Sequence, residues 1–89
     1  MNKIKLAKID IENRRFVLYE TIDGKWIGDF VYSPKSFIDL SILIELTDFE
    51  KAMVQNDRQS LIGLSETIRD NYNDYLERAL NRNNYLIND

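Results

Sequence analysis

The chain has 89 residues, 44% of them apolar, a net charge of −3, and neither cysteine nor histidine. This size and composition predict one small globular domain over residues 1–89 with marginal stability. The lack of cysteine excludes disulfides and thiol chemistry, and the lack of histidine removes the side chain most used for proton transfer near neutral pH.

The first strand is predicted over residues 4–11, IKLAKIDI, where apolar and polar residues alternate. The alternation changes phase between Leu6 and Ile9, and a β-bulge near Ala7 and Lys8 would restore it. This N-terminus has no unbroken apolar stretch, so it does not resemble a secretory signal. No run of apolar residues is long enough to span a bilayer, so we expect a cytoplasmic protein that does not insert into membranes.

A β-hairpin is predicted around Asp23-Gly24, which separates two β-rich runs, FVLYETI and KWIGDFVY. Asp-Gly favours a two-residue type I′ turn because both central residues need positive φ. Such a turn would pair Ile22 with Lys25, Thr21 with Trp26, Tyr19 with Gly28 and Val17 with Phe30. One face would then carry Val17, Tyr19, Trp26, Phe30 and Tyr32, an aromatic set that is more often core than binding site.

Residues 37–46, FIDLSILIEL, fit either a helix or a strand. As a helix the segment would be apolar almost all round, which is unusual in so small a protein, although Ser33-Pro34 could start one. As a strand its apolar and polar residues alternate with Leu43 as the only exception, and we therefore favour a fourth strand.

Two helices are predicted next. Thr47 and Glu50 fit a capping box, so a short helix over about 48–55 should follow and bury Phe49, Ala52 and Met53. A long C-terminal helix is predicted over about 58–80. Its core face would carry Leu61, Leu64, Ser65, Ile68, Tyr72, Tyr75, Leu76 and Ala79, which recur at helical spacing.

The fold class is therefore predicted to be α+β: an antiparallel β-meander of three to four strands packed against a short helix and a long C-terminal helix. The sheet would occupy about residues 3–46 and the helices about 48–80. The tail, 81–89, would dock on the domain or extend a sheet edge.

The sequence gives little support for catalysis or for metal or cofactor binding. It contains no glycine-rich phosphate loop and no metal-ligand motif, and its three glycines lie apart at 24, 28 and 63. Carboxylate pairs such as Glu66–Asp70 and Asp70–Asp74 are one helical turn apart, but they would lie on an exposed convex face rather than in a cleft. We therefore predict no catalytic residues, no metal site and no cofactor.

Acidic side chains are concentrated in the second part of the chain. Residues 36–89 contain ten acidic and five basic side chains, whereas residues 1–35 contain five acidic and seven basic ones. A stripe of acidic residues on a helix is most often a solvated face, but like charges repeated four residues apart destabilise the helix and so indicate a function. The basic residues are not clustered, so we expect no nucleic-acid binding.

The leading hypothesis is a small, acidic, non-catalytic cytoplasmic protein that binds and inhibits a basic partner protein. An immunity protein or antitoxin, bacterial or phage-encoded, that neutralises a toxin such as a nuclease would have this size and charge. The alternative is a self-associating structural or regulatory adaptor domain, which would form a homodimer through a sheet edge or an exposed hairpin face. The candidate partner-binding residues are Glu66, Asp70, Asp74, Glu77, Tyr72, Tyr75, Asp39 and Glu45, with the tyrosines as anchors.

Overall fold

The computed structural model describes residues 3–35 and 37–88, so Asp89, the end of the predicted tail, lies outside the described residues. Within these residues the elements follow in the order β1 (Ile4–Glu12), β2 (Phe16–Glu20), β3 (Trp26–Lys35), β4 (Ile38–Glu45), α1 (Asp48–Asn56), α2 (Gln59–Asp70), a 3₁₀ segment (Tyr72–Arg78), a 3₁₀ turn (Arg82–Asn84) and β5 (Tyr85–Asn88).

The five strands form one sheet in the order β4-β3-β2-β1-β5. Residues 38–45 are a strand and not a helix. The pairs β1–β2, β2–β3 and β3–β4 are antiparallel, whereas β5 joins β1 in parallel, with Leu6 beside Ile87. The predicted antiparallel meander is therefore wrong: the sheet is mixed and has a fifth strand. The cause is the C-terminal segment over residues 79–88, which starts at the β4 edge, where the Leu80 N–H donates to the Leu43 carbonyl at 2.7 Å, and ends beside β1.

The bulge predicted in β1 is present. Lys8 pairs with Tyr19 and Asp10 pairs with Leu18, so Ile9 is the extra residue, one position beyond the predicted site. Beyond the bulge, the Asp10 carboxylate binds the guanidinium of Arg58, the residue just before α2, at 2.9 Å.

The β2–β3 connection is a three-residue loop and not the predicted two-residue turn. The Thr21 N–H donates to the Lys25 carbonyl at 2.9 Å, and within the loop only Gly24 has a positive φ, 86°. β3 is therefore shifted by one residue relative to the prediction, which moves each of its side chains to the opposite face. The observed pairs run from Phe16–Phe30 to Glu20–Trp26, and of the predicted aromatic set Trp26, Phe30 and Tyr32 share one face while Tyr19 lies on the other.

The predicted long C-terminal helix is also wrong. α2 ends at Asp70 because Asn71 leaves the helical conformation, with φ −131° and ψ 39°. Its N–H and its side-chain amide both donate to the Thr67 carbonyl, the latter at 3.1 Å, and so cap the helix. The 3₁₀ segment then turns the chain so that Ala79 reaches β4. A straight helix to residue 80 would have carried the tail about 15 Å beyond α2 and away from the sheet.

The sheet buries apolar side chains on both faces. We call the face covered by α1 and α2 the helix face and the other the tail face. The core of the helix face contains Phe16, Leu18, Phe30, Ile42, Ile44 and Leu46, with Val54, Leu61 and Ile68 from the helices. The core of the tail face contains Leu6, Tyr19, Ile27 and Leu43, with Val17, Leu80, Tyr85 and Ile87 packed against them.

Candidate functional site

α1 begins with the hydrogen-bonded cap that the sequence predicts. Thr47 Oγ1 accepts from the Glu50 N–H at 3.1 Å, and the Glu50 carboxylate accepts from the Thr47 N–H at 2.8 Å. The two bonds satisfy backbone donors that the first turn of a helix leaves free. They also hold the Glu50 side chain at the start of the helix, where β4 ends.

α1 buries one of its four apolar side chains and exposes the other three, Phe49, Ala52 and Met53. Val54 is buried, whereas Phe49 is 73% exposed and Met53 is 45% exposed. Phe49 and Met53 are four residues apart and so lie on one side of the helix. The prediction that Phe49, Ala52 and Met53 would be buried is wrong, because Val54 lies about 140° round the helix from Phe49 and only one side can face the sheet.

A groove lies between α1 and α2 beside Met53. The groove is open at Gly63, where a Cβ atom would have no neighbouring atom within 4 Å. The groove therefore offers a largely apolar depression in which Glu50 is the charged side chain. It encloses about 340 Å³ and is lined by Glu50, Met53, Val54, Ser60, Gly63, Leu64 and Thr67.

Arg78 connects this groove to a group of carboxylates. Its guanidinium binds the Glu50 carboxylate at 2.6 and 3.1 Å and donates to the Glu45 carbonyl at 3.0 Å, so the end of the 3₁₀ segment lies against the junction of β4 and α1. Three exposed acidic residues are close neighbours in the sequence of the groups that make these contacts, and we call them the acidic corner: Glu45, Asp48 and Glu77. None of the three has an ion pair within the described part of the chain.

The pKa shifts of two carboxylates indicate ion pairing. Burial would raise the pKa of Glu50, but the hydrogen bonds from Arg78 and from the Thr47 N–H outweigh burial and hold that pKa below its usual value. The hydrogen bond from Arg58 likewise lowers the pKa of Asp10. A lowered carboxyl pKa favours a permanent charge at neutral pH, whereas a general acid needs a raised one. These carboxylates are therefore suited to holding cations.

The predicted acidic stripe is not one continuous helix face. Because α2 ends at Asp70, only Glu66 and Asp70 lie on it, while Asp74 and Glu77 belong to the 3₁₀ segment. Glu66 pairs with Arg15 at 3.1 Å, and Asp70 pairs with the arginine before it at 3.2 Å. Asp74 and Glu77 have no ion pair among the residues described, and Glu77 adds its charge to the acidic corner.

The other predicted site residues lie in different parts of the fold. Tyr72 is half-buried and stacks on Tyr32, with ring centroids 4.7 Å apart. Tyr75 packs against the core of the helix face, with the Arg78 guanidinium 5.6 Å from its ring centroid. Asp39 accepts a hydrogen bond at 2.5 Å from a serine of β3. The structure thus places the Glu45 carbonyl and the Tyr75 ring beside Arg78, with Glu77 as the preceding residue in the chain, and places Asp39 and Tyr72 elsewhere.

Phe49 and Met53 are the surface residues that the sequence prediction missed. The signal available was their spacing from Val54, since apolar residues at 49, 53 and 54 cannot all face inward from one short helix. The choice between the two sides depends on the direction in which α1 leaves Thr47, which is set by β4 and the helix-face core.

The arrangement provides binding contacts: an apolar groove, exposed apolar side chains and carboxylates. Among residues 3–35 and 37–88 there is no group of three or more His, Cys, Asp or Glu side chains that could hold a metal ion. The helices in the same residues are all too short or too polar to cross a membrane. The chain matches no protein-family model, no curated protein and no solved structure.

Proposed function

We propose that the protein is a non-catalytic binding protein that captures a basic partner protein through one surface, formed by Phe49, Met53, the α1–α2 groove and the acidic corner. The observation that carries the proposal is the 73% exposure of Phe49, one helical turn from Met53, which lines an open groove. Burying a phenylalanine contributes about 1.5–3 kcal/mol, so its exposure leaves that free energy available for binding. Exposed aromatic and Met side chains beside a depression are typical of protein-binding surfaces.

The acidic corner supports a basic partner. Glu45, Asp48 and Glu77 are exposed and lack ion pairs within the described residues, and the net charge of the chain, −3, has the same sign. Carboxylates at the rim of an interface mainly steer and speed the approach of an oppositely charged protein, while apolar contacts at its centre supply most of the affinity. Phe49 is therefore the proposed anchor and the acidic corner the steering element.

The partner class that we propose is a toxin such as a nuclease, with this chain acting in the cytoplasm as its immunity protein or antitoxin. A nuclease presents basic side chains to hold phosphates, and the acidic corner would bind those side chains in place of phosphate. The small size and acidic charge of the chain support this role. An inhibitor of this kind needs no catalytic group of its own.

Affinity capture with matched variants tests the binding surface. The full chain is immobilised as wild type, as the double variant Phe49→Ser, Met53→Ser, and as Leu86→Ser, which removes a 43% exposed side chain from β5. We expect wild type and Leu86→Ser to retain a basic protein that the double variant does not retain. Added salt should make that protein dissociate more quickly. Equal retention by all three chains, an acidic partner, or no selectively retained protein would contradict the proposal.

Inhibition is then measured on the captured protein. If that protein cleaves nucleic acid, one equivalent of wild type should suppress cleavage, and the double variant should do so only at much higher concentration. If the partner keeps its full activity when it is saturated with wild type, the proposed binding surface would stand but the inhibitor role would be contradicted.

A further inference from the structure

The first half of β4 has no strand beside its outer edge in the described chain. Residues 79 and 80 cover only the second half, where the Leu80 N–H donates to the Leu43 carbonyl. The Leu43 carbonyl therefore points outward, away from β3. The backbone groups of alternate residues in an antiparallel strand point to the same side, so the backbone N–H and C=O groups of Asp39 and Ser41 also point outward. Unpaired backbone groups along a sheet edge form a template for another strand.

Exposed apolar side chains accompany this edge. Phe37 is 80% exposed, Ile38 36% and Leu40 45%. Leu40 pairs with Tyr32, whose ring lies on the helix face, so Leu40 extends that face to the rim of the sheet. Soluble proteins commonly protect an edge with lysine or proline, and residues 38–44 contain neither.

We infer that this edge pairs with the same edge of a second copy of the chain, in an antiparallel two-fold dimer centred on Leu40. In this register, Asp39 of each copy faces Ser41 of the other, and each such pair exchanges both of its N–H···O bonds. The two Leu40 side chains meet on the axis, and Ile38 of each copy faces Ile42 of the other. The sheets of the two copies then form one continuous sheet.

The monomer excludes the neighbouring two-fold registers. A dimer centred on Ser41 would need the backbone of Leu43, whose carbonyl Leu80 already occupies. A dimer centred on Asp39 would place two aspartates directly opposite each other, and like charges in that position are destabilising. If the two-fold axis passed between two residues, each residue whose backbone N–H and C=O point outward would face a residue of the second copy whose backbone groups point back into its own sheet. Such a pair cannot form hydrogen bonds.

The register centred on Leu40 also complements charge on the tail face. Arg82 binds Asp29 there at 2.6 and 3.1 Å and donates to Ser41 Oγ at 2.7 Å. Asp39 has a hydrogen bond from Ser33 but no ion pair within the described residues. The dimer brings Asp39 of the second copy beside Ser41, so that its carboxylate gains a hydroxyl and a guanidinium as neighbours.

A single-cysteine variant tests the register. The chain has no cysteine of its own, and the Cα atoms of a non-hydrogen-bonded pair lie about 4.5 Å apart, within reach of a disulfide. We expect Leu40→Cys to form a covalent dimer on mild oxidation at least about tenfold faster than Leu86→Cys, because association raises the effective thiol concentration. Leu86 has a matched exposure of 43% on the opposite edge strand. Equal rates, or faster linkage of Leu86→Cys, would overturn the inference.

Sedimentation velocity tests the assembly without cross-linking. Wild type should pass from monomer to dimer as its concentration rises, Leu86→Lys should behave in the same way, and Leu40→Lys should remain monomeric because two lysines would meet on the axis. Circular dichroism verifies that each variant is folded. A wild type that stays monomeric throughout, or a Leu40→Lys that dimerises equally well, would overturn the inference. Phe49→Ser should still dimerise, so failure of the proposed partner-binding surface would not affect this result.

Discussion

At the scale of single residues, Glu50 caps a helix and binds a cation with one carboxylate. It accepts hydrogen bonds from the Thr47 N–H and from Arg78, and its side chain is only 18% exposed. Glutamine in its place could still accept the bond from Thr47, because the amide oxygen is an acceptor, but the ionic part of the contact with Arg78 would be lost.

We predict that Glu50→Gln lowers the free energy of unfolding at pH 7 by about 1–2 kcal/mol. The pKa of Glu50 is lower in the folded chain than in the unfolded one, so its stabilising effect is present above the unfolded-state pKa of about 4.3 and is lost as pH falls through the folded-state pKa. Urea unfolding should therefore separate variant and wild type at pH 7 and bring them closer together at a pH below that unfolded-state value. Glu77→Gln serves as the exposed control, and an equal gap at both pH values would refute the assignment.

Gly28 and Gly63 should respond in opposite ways to alanine. A Cβ atom on Gly28 would lie 2.3 and 2.5 Å from two ring atoms of Phe30, which is fully buried and cannot move aside, whereas Gly63 has open space around it. We expect Gly28→Ala to lose about 2–3 kcal/mol of stability through overpacking and Gly63→Ala to gain about 0.5–1 kcal/mol through helix propensity. Midpoints of denaturant unfolding provide the comparison. A Gly28→Ala chain as stable as wild type would mean that Phe30 packs differently.

At the scale of elements, the position of the β2–β3 hairpin could be predicted from Asp23-Gly24, but its register could not. The dipeptide fits a two-residue turn and equally a three-residue loop that ends in a glycine with positive φ. The burial of Phe30 against Phe16 on the helix face requires the second arrangement. That requirement comes from packing among distant strands and is not visible in the turn.

The helices show the same division between local and distant causes. The capping box at Thr47 and the extent of α1 follow from local sequence, as do the first four strands. The end of α2 does not, because apolar residues continue at helical spacing through Tyr75 while Asn71 ends the helix. For the candidate site, charge composition predicted Glu45 and Glu77, but the exposure of Phe49 depends on which side of α1 meets the sheet.

The tail should be held to the sheet by one side of β5. Ile87 packs against the core of the tail face, whereas its neighbour Leu86 is 43% exposed. We predict that Ile87→Asp lowers the stability by about 2 kcal/mol or more, because it buries a charge without a partner, while Leu86→Asp changes the stability by less than about 0.5 kcal/mol. Thermal and urea unfolding of both variants measure this difference. Equal effects would show that β5 contributes no burial at this edge.

At the scale of the whole molecule, folding leaves the acidic corner unpaired. Arg58 and Arg82, from the acidic second part of the chain, pair with Asp10, Glu12 and Asp29 of the first part. These long-range pairs use two of the five cations of residues 36–89 to neutralise carboxylates elsewhere. The negative charge at Glu45, Asp48 and Glu77 is thus a consequence of the tertiary structure and not only of composition.

This arrangement predicts where charge reversal slows binding of the captured partner. The double variant Glu45→Lys, Glu77→Lys should reduce the association rate about tenfold at low salt and much less at high salt, since steering is screened. Asp70→Lys should change the rate less, because an arginine already lies beside that carboxylate. Stopped-flow mixing at two ionic strengths measures both effects. A larger effect of Asp70→Lys would contradict this account and indicate that the partner binds the surface of α2.

Isothermal titration of the captured partner into wild type, Phe49→Ser and Leu86→Ser is the most direct test of the proposed binding surface. If Phe49 is the anchor, Phe49→Ser should raise the dissociation constant about 30-fold, which is equivalent to about 2 kcal/mol of binding free energy. Leu86→Ser should leave the dissociation constant nearly unchanged. Equal affinity of Phe49→Ser and wild type would contradict the proposal that the partner binds the exposed side of α1.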